Sequence, residues 1–138
     1  KEKANVVEKD FTEKNIRAYL NLGHTFAHAY ESIMGLGAIT HGEAVAWGIG
    51  RAVQFSFKKD YCREALYNRI IGVLKLYNWD TDPVPAIVKG GGIGERFLAV
   101  MHKDKKNINS KVRLVIPKEI GDIVIEEADD KDILAVLK

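Results

Sequence analysis

Cysteine occurs once in this 138-residue sequence, at Cys62, which excludes an internal disulfide and any zinc cage built from several cysteines. A lone thiol fits a reducing compartment, and the cytoplasm is the expected location. Neither sign of charge is in excess: 21 Lys and Arg against 19 Asp and Glu leave a formal net charge of +2. Nothing in that balance calls for nucleic acid or a membrane surface as a partner. Apolar runs are short, and none approaches the roughly eighteen residues of a membrane-spanning helix. Proline is scarce, with Pro83, Pro85 and Pro117 as its three occurrences, and each falls where an element is expected to end. Internal repeats and low-complexity tracts are absent. What remains is a length suited to one domain with a core of its own. The opening Lys1-Glu2-Lys3-Ala4-Asn5-Val6-Val7-Glu8-Lys9 reads as the tail of a helix. The chain is therefore expected to be part of a longer protein.

Periodicity gives the elements. Residues 17–34 place Leu20, Leu22, Phe26, Ala27, Tyr30 and Ile33 at helical spacing and stop at Gly35-Leu36-Gly37. Residues 42–59 form a second helix, whose Ala44-Val45-Ala46-Trp47-Gly48-Ile49-Gly50 is apolar on every side and is expected to be buried. A third, amphipathic helix is predicted over 62–79 from Leu66, Ile70, Val73, Leu74 and Tyr77, closed by Asp80, Asp82, Pro83 and Pro85. Lys89-Gly90-Gly91-Gly92-Ile93-Gly94 reads as a flexible loop; it lacks the preceding strand and the Lys-Ser/Thr ending of a phosphate-cradling loop. Another helix follows over 95–105. Alternation over 111–116 and 122–126, with Pro117 and Gly121 between, predicts a β-hairpin. A last helix over 129–138 has an Asp near its cap. The fold class is mainly α: a helical bundle with a small β-hairpin.

Chemistry concentrates in Asn21-Leu22-Gly23-His24-Thr25-Phe26-Ala27-His28-Ala29-Tyr30-Glu31. His24 and His28 stand one turn apart, so both imidazoles leave the same face of a helix. Two neutral imidazoles so spaced can share a metal ion at about 2.0–2.1 Å. They can equally be hydrogen-bonded helix residues, because spacing alone does not establish coordination. His41 follows in Thr40-His41-Gly42-Glu43, which puts three of the four histidines close together in sequence. Thr25 occupies the place where a zincin needs Glu, and one cysteine cannot complete a zinc-deaminase site.

At this point a family resemblance becomes specific. Arg17-x-x-x-Asn21-x-Gly23-His24-Thr25-x-x-His28-Ala29-x-Glu31, then His41-Gly42-Glu43-Ala44-Val45-Ala46-x-Gly48, then Asp104-Lys105-Lys106, resembles the 3-dehydroquinate synthase family in order and spacing. Lys3-Ala4-x-Val6-Val7, Glu13-x-x-x-Arg17 and Ile120-Gly121 extend the resemblance from end to end. It implies the C-terminal, metal- and substrate-binding domain of such an enzyme, spanning residues 1–138, without the N-terminal NAD-binding domain. The implied reaction converts 3-deoxy-D-arabino-heptulosonate 7-phosphate to 3-dehydroquinate and phosphate, in aromatic amino acid biosynthesis. NAD oxidises a carbinol transiently, and one Glu and two His hold Zn2+ or Co2+. By position the two histidines are His24 and His41, and the Glu belongs to the absent domain. A homodimer is implied as the assembly.

The resemblance also assigns the remaining residues. His28 is a catalytic group on the substrate side, not a ligand, and Glu13 orients its surroundings. Lys3, Arg17 and Asn21 face the substrate's anionic groups, together with Lys105 or Lys106. Arg offers a fork of donors to such anions and Lys a point charge. Two departures stand out: Ala27 where the family usually has Gly, and Trp47 where it has an aliphatic residue, adding bulk beside the site. Two other readings are carried forward. One is a different sugar-phosphate cyclase, of the 2-deoxy-scyllo-inosose or valiolone type. The other is a helical metal-binding module without catalysis of its own.

Overall fold

The computed structural model describes residues 22–35, 37–85, 87–88, 90–103, 111–119 and 122–138. In chain order these form α1 (His24–Met34), α2 (His41–Lys58), α3 (Glu64–Leu76), α4 (Ile93–His102), β1 (Val112–Glu119), β2 (Asp122–Ala128) and α5 (Asp130–Ala135). Every predicted element that falls on described residues is present; α3 and α5 are shorter than their periodic patterns, α2 keeps its predicted length and both strands run longer. The ends have local causes. Asp60 and Asn78, at φ 59° and 64°, sit in the left-handed region just past α2 and α3. Beyond them the Tyr61 amide reaches back to the Ser56 carbonyl at 2.8 Å, and the Trp79 amide to Leu74 at 2.9 Å. These six-to-one bonds close each helix and satisfy carbonyls that the last turn leaves open.

The core forms around the run expected to be buried. Trp47 is fully buried on α2. Its indole meets Tyr30 and Phe97 with centroids 5.2 Å away in each case, and Phe26 edge-on at 6.2 Å. One side chain thus joins α1, α2 and α4, and each tilted aromatic pair adds about 0.5–1.5 kcal/mol beyond its burial. The indole N–H donates to the Asp82 carbonyl at 2.8 Å, which pins the segment after α3 to the same centre. The extra bulk at this position therefore serves the core and does not crowd the histidines. The hairpin joins through β1, whose Val112, Leu114 and Ile116 are buried at alternate positions. A buried Ser56 hydroxyl on α2 donates to the Pro117 carbonyl, fixing that edge.

Pro117 requires a correction. It lies inside β1, opposite Ile123, rather than in the turn, and the register shifts between Pro117 and Glu119. A proline gives no ladder N–H, and in a two-stranded ribbon it sits at an edge next to an irregularity without breaking the pairing. At the other end, Asp129 occupies the N-cap position of α5 but makes no side-chain cap. Its carboxylate instead meets Lys111 Nζ at 3.1 Å, and the lysine holds it below the usual carboxylate range. Among the described residues no helix is long and apolar enough to cross a membrane.

The crossing of α1 and α2 decides where the histidines stand. Gly23, at φ 76°, is the N-cap of α1 and adopts a conformation that L side chains avoid. A Cβ there would come within 2.6 Å of the Ile49 amide nitrogen. A Cβ on Gly48 would stand 2.2 Å from the Gly23 carbonyl oxygen. The two helices therefore touch backbone on backbone. Only glycine at both positions permits it.

Candidate metal and substrate site

α1 begins at His24 and carries His28 one turn later, while α2 begins at His41. The His24 ring lies 5.5 Å from His41 and 5.7 Å from His28, centroid to centroid. The histidine cluster expected from the sequence thus exists, with His24 at its centre. Two imidazoles sharing one tetrahedral ion bring their centroids to roughly 5 Å. Both pairs come near that span, so distance alone does not rank them.

The neighbours of each ring do. His41 Nδ1 lies 3.1 Å from the Glu31 carboxylate, which reaches across from α1. A carboxylate on one ring nitrogen fixes the tautomer and leaves Nε2 to face an ion, the usual support of a ligating histidine. His28 is exposed, and among the described residues its nitrogens make no hydrogen bond. A histidine free to turn suits proton handling better than fixed coordination. The residues present accordingly suit a divalent ion held in part by His24 and His41. Among the described residues no group of three or more His, Cys, Asp or Glu converges on one point, so two imidazoles are what this cluster offers.

Glu43 has a different task from the one its place beside His41 suggests. Thr40 Oγ1 accepts from the Glu43 amide at 3.0 Å, and the Glu43 carboxylate accepts from the Thr40 amide at 2.8 Å. This reciprocal capping box starts α2 and so aims His41. The pattern Thr-x-x-Glu is visible in the sequence and could have been read there. Glu31 could not be recognised in the same way, because ten residues and a loop separate it from His41. Lys3, Glu13, Arg17, Asn21, Lys105 and Lys106 lie outside the described residues. The remaining histidine, His102, closes on Asp130 at 2.8 Å and ties α4 to the start of α5, away from the cluster.

The fold, a helical domain with a β-hairpin packed alongside, is shared with two synthases of known structure. The 2-epi-5-epi-valiolone synthase of Streptomyces hygroscopicus, solved with NAD+ and Zn2+ bound, superposes with a TM-score of 0.69 at 21% identity, covering 85% of this chain and 31% of that protein. A 2-deoxy-scyllo-inosose synthase solved with carbaglucose-6-phosphate, NAD+ and Co2+ gives 0.70 at 20% identity, covering 85% and 33%. The sequence is more specific. The family described as 3-dehydroquinate synthase C-terminal matches residues 1–107, and the chain belongs to that family.

Among full-length relatives, the 3-dehydroquinate synthase of Shewanella loihica is 43% identical over 119 residues, 86% of this chain and 32% of the relative. That of Pseudoalteromonas translucida is 36% identical over 137 residues, covering 99% and 37%. That of Dictyoglomus thermophilum is 37% identical over 134 residues, covering 96% and 36%. The chain thus spans about a third of the length of the relatives it matches.

Proposed function

We propose that this chain is the helical part of a 3-dehydroquinate synthase, binding the metal and the sugar-acid phosphate substrate opposite an NAD-binding N-terminal domain of the same polypeptide. The observation that carries the reading is the His24–His41 pair with Glu31 behind His41, set in a chain of this family. Relatives named 3-dehydroquinate synthase favour that activity over other cyclases, whose likeness here is one of fold. The residue between His24 and His28 that departs from the family, Ala27, is fully buried on α1 and takes no donor from the site.

In this reading His24 and His41 hold Zn2+ or Co2+ together with a carboxylate from the N-terminal domain. Such an ion, when bound, polarises the substrate hydroxyls it touches. The other residues bind and move protons. Lys3, Arg17 and Asn21, with Lys105 or Lys106, hold the carboxylate and phosphate through charge-assisted hydrogen bonds. His28 stands one turn from His24 with its ring nitrogens open to solvent, and passes a proton at the substrate as phosphate leaves. Glu13, four residues before Arg17, orients that neighbourhood. The working assembly is a cytoplasmic homodimer of the two-domain chain.

Division of the site between two domains gives a direct test. This chain, supplied with metal, NAD and 3-deoxy-D-arabino-heptulosonate 7-phosphate, is expected to release no phosphate. Adding the separately produced N-terminal part should restore release. Turnover by this chain alone would require a complete site within it and would overturn the reading.

The positioning role of Glu31 has its own signature. In the full-length protein, Glu31→Gln should weaken metal affinity about 10–100-fold, the usual cost of losing a carboxylate behind a ligating histidine. Competition with a chromophoric chelator measures it. Unchanged affinity would mean that the contact with His41 is incidental.

A further inference from the structure

We propose that a cleft between the start of α3 and the end of β1, remote in sequence from the histidine cluster, binds a small phosphorylated anion. The cleft, broadly open to solvent, offers about 230 Å³ and is lined by Arg63, Ala65, Leu66, Arg69, Lys118 and Glu119. Three of those six side chains are cations and one is an acid. In most surface clusters Arg and Lys are offset by neighbouring carboxylates, as Lys59 is by Asp132 and Lys111 by Asp129 elsewhere in this fold. Here, among the described residues, the side chain of neither Arg63 nor Arg69 forms an ion pair or hydrogen bond. Lys118 Nζ rests 5.7 Å over the Tyr61 ring, a contact that steadies the ammonium without neutralising it. The local excess of two positive charges matches a phosphate group, which carries about −1.5 to −2 at neutral pH.

Geometry narrows the class. Arg63, at the N-cap, and Arg69, in the second turn of α3, stand about 9 Å apart along the helix axis and roughly 120° apart around it. Each guanidinium offers a planar fork that takes two oxygens of a phosphoryl group. The volume is several times the roughly 30 Å³ of a water molecule, enough for a diphosphate or a phosphate ester. Arg63 itself occupies the N-cap of α3 and forms no side-chain cap, so the positive end of the helix dipole lies at that residue. Buried Leu66 forms an apolar patch of the wall, against which the carbon part of an ester can lie.

The test uses this chain, 15N-labelled, titrated at low salt with inorganic pyrophosphate and, separately, with glycerol 3-phosphate. Amide shifts at Arg63 to Arg69 and at Lys118 and Glu119 should saturate with a dissociation constant of about 1 mM or below. Shifts near His24 to His41 report the other site and do not bear on this one. Saturation with both probes identifies the phosphoryl group as what is recognised, and saturation with pyrophosphate alone identifies a diphosphate; either supports the proposal. The double variant Arg63→Ala/Arg69→Ala should weaken binding about 100-fold, counted as tenfold for each charge-assisted contact. Both side chains are exposed, so its melting temperature should stay unchanged. Shifts that rise without saturating, that sodium chloride at equal ionic strength reproduces, that succinate matches, or that survive in the double variant would each overturn the assignment.

Discussion

In the full-length protein, His28→Ala should keep its metal and turn over about 10²–10⁴-fold more slowly, the usual range for a lost acid–base group. His24→Ala and His41→Ala should instead lose the metal. The contrast is sharp because the two candidate pairs are almost the same length, 5.5 Å for His24–His41 and 5.7 Å for His24–His28. A reading from the helical His-x-x-x-His spacing predicts that His28 is a ligand and that its removal empties the site. The Glu31 contact on His41, which has no counterpart on His28 among the described residues, predicts the opposite. Metal content by elemental analysis, set beside turnover for all three variants, separates the two. A metal-free His28→Ala protein would reverse the assignment.

Arg51→Ala should lower the stability of this chain by about 3–5 kcal/mol, the cost of breaking a buried charged network. That corresponds to a fall in melting temperature on the order of 10–20 °C. Arg51 is 2% exposed in the middle of α2. Its guanidinium donates to the Val136 carbonyl at 2.8 Å, to the Thr81 carbonyl at 2.6 Å and to the Gln54 side chain. Burial pushes its pKa down to about 10, while Tyr67, Asp80 and Asp82 work in the other direction, and the group stays charged at neutral pH. One side chain thus fastens the segment after α3 and the residues after α5 to the central helix. Arg51→Met should recover part of the loss, because it fills volume that alanine leaves empty, although it too leaves the two carbonyls without a donor. Melting both variants by circular dichroism tests this. A shift of less than about 3 °C for Arg51→Ala would show that the network contributes little.

Much of this was legible in the sequence, for reasons that particular residues make plain. The hairpin follows from apolar alternation, which the backbone enforces wherever one face is covered, and the buried run of α2 from the lack of any polar face. Arg51 breaks that run between Gly50 and Ala52, and a charge amid buried positions is a signal of a paired interior cation. Its partners are carbonyls at 81 and 136, which carry no sequence signature at all. The same holds for Glu31: its identity was part of a motif, but its contact with His41 exists only once α1 and α2 have packed. Pro117 was misplaced because proline most often marks a turn, and its tolerance in the strand depends on an edge that only the finished ribbon defines. Trp47 looked like bulk beside the site for a similar reason. Which face of α2 it leaves from is settled by the crossing with α1.

That crossing has a consequence for the uptake of a metal. Gly23 and Gly48 meet without side chains between them, so there is no soft layer through which α1 and α2 could slide. His24 follows Gly23 directly, and His41 opens the helix that carries Gly48. Under the proposed assignment, the span between the two donor rings is set by main-chain contact before any ion arrives. The main-chain ordering that brings the two helix starts together is complete beforehand, which is the energetic meaning of preorganisation.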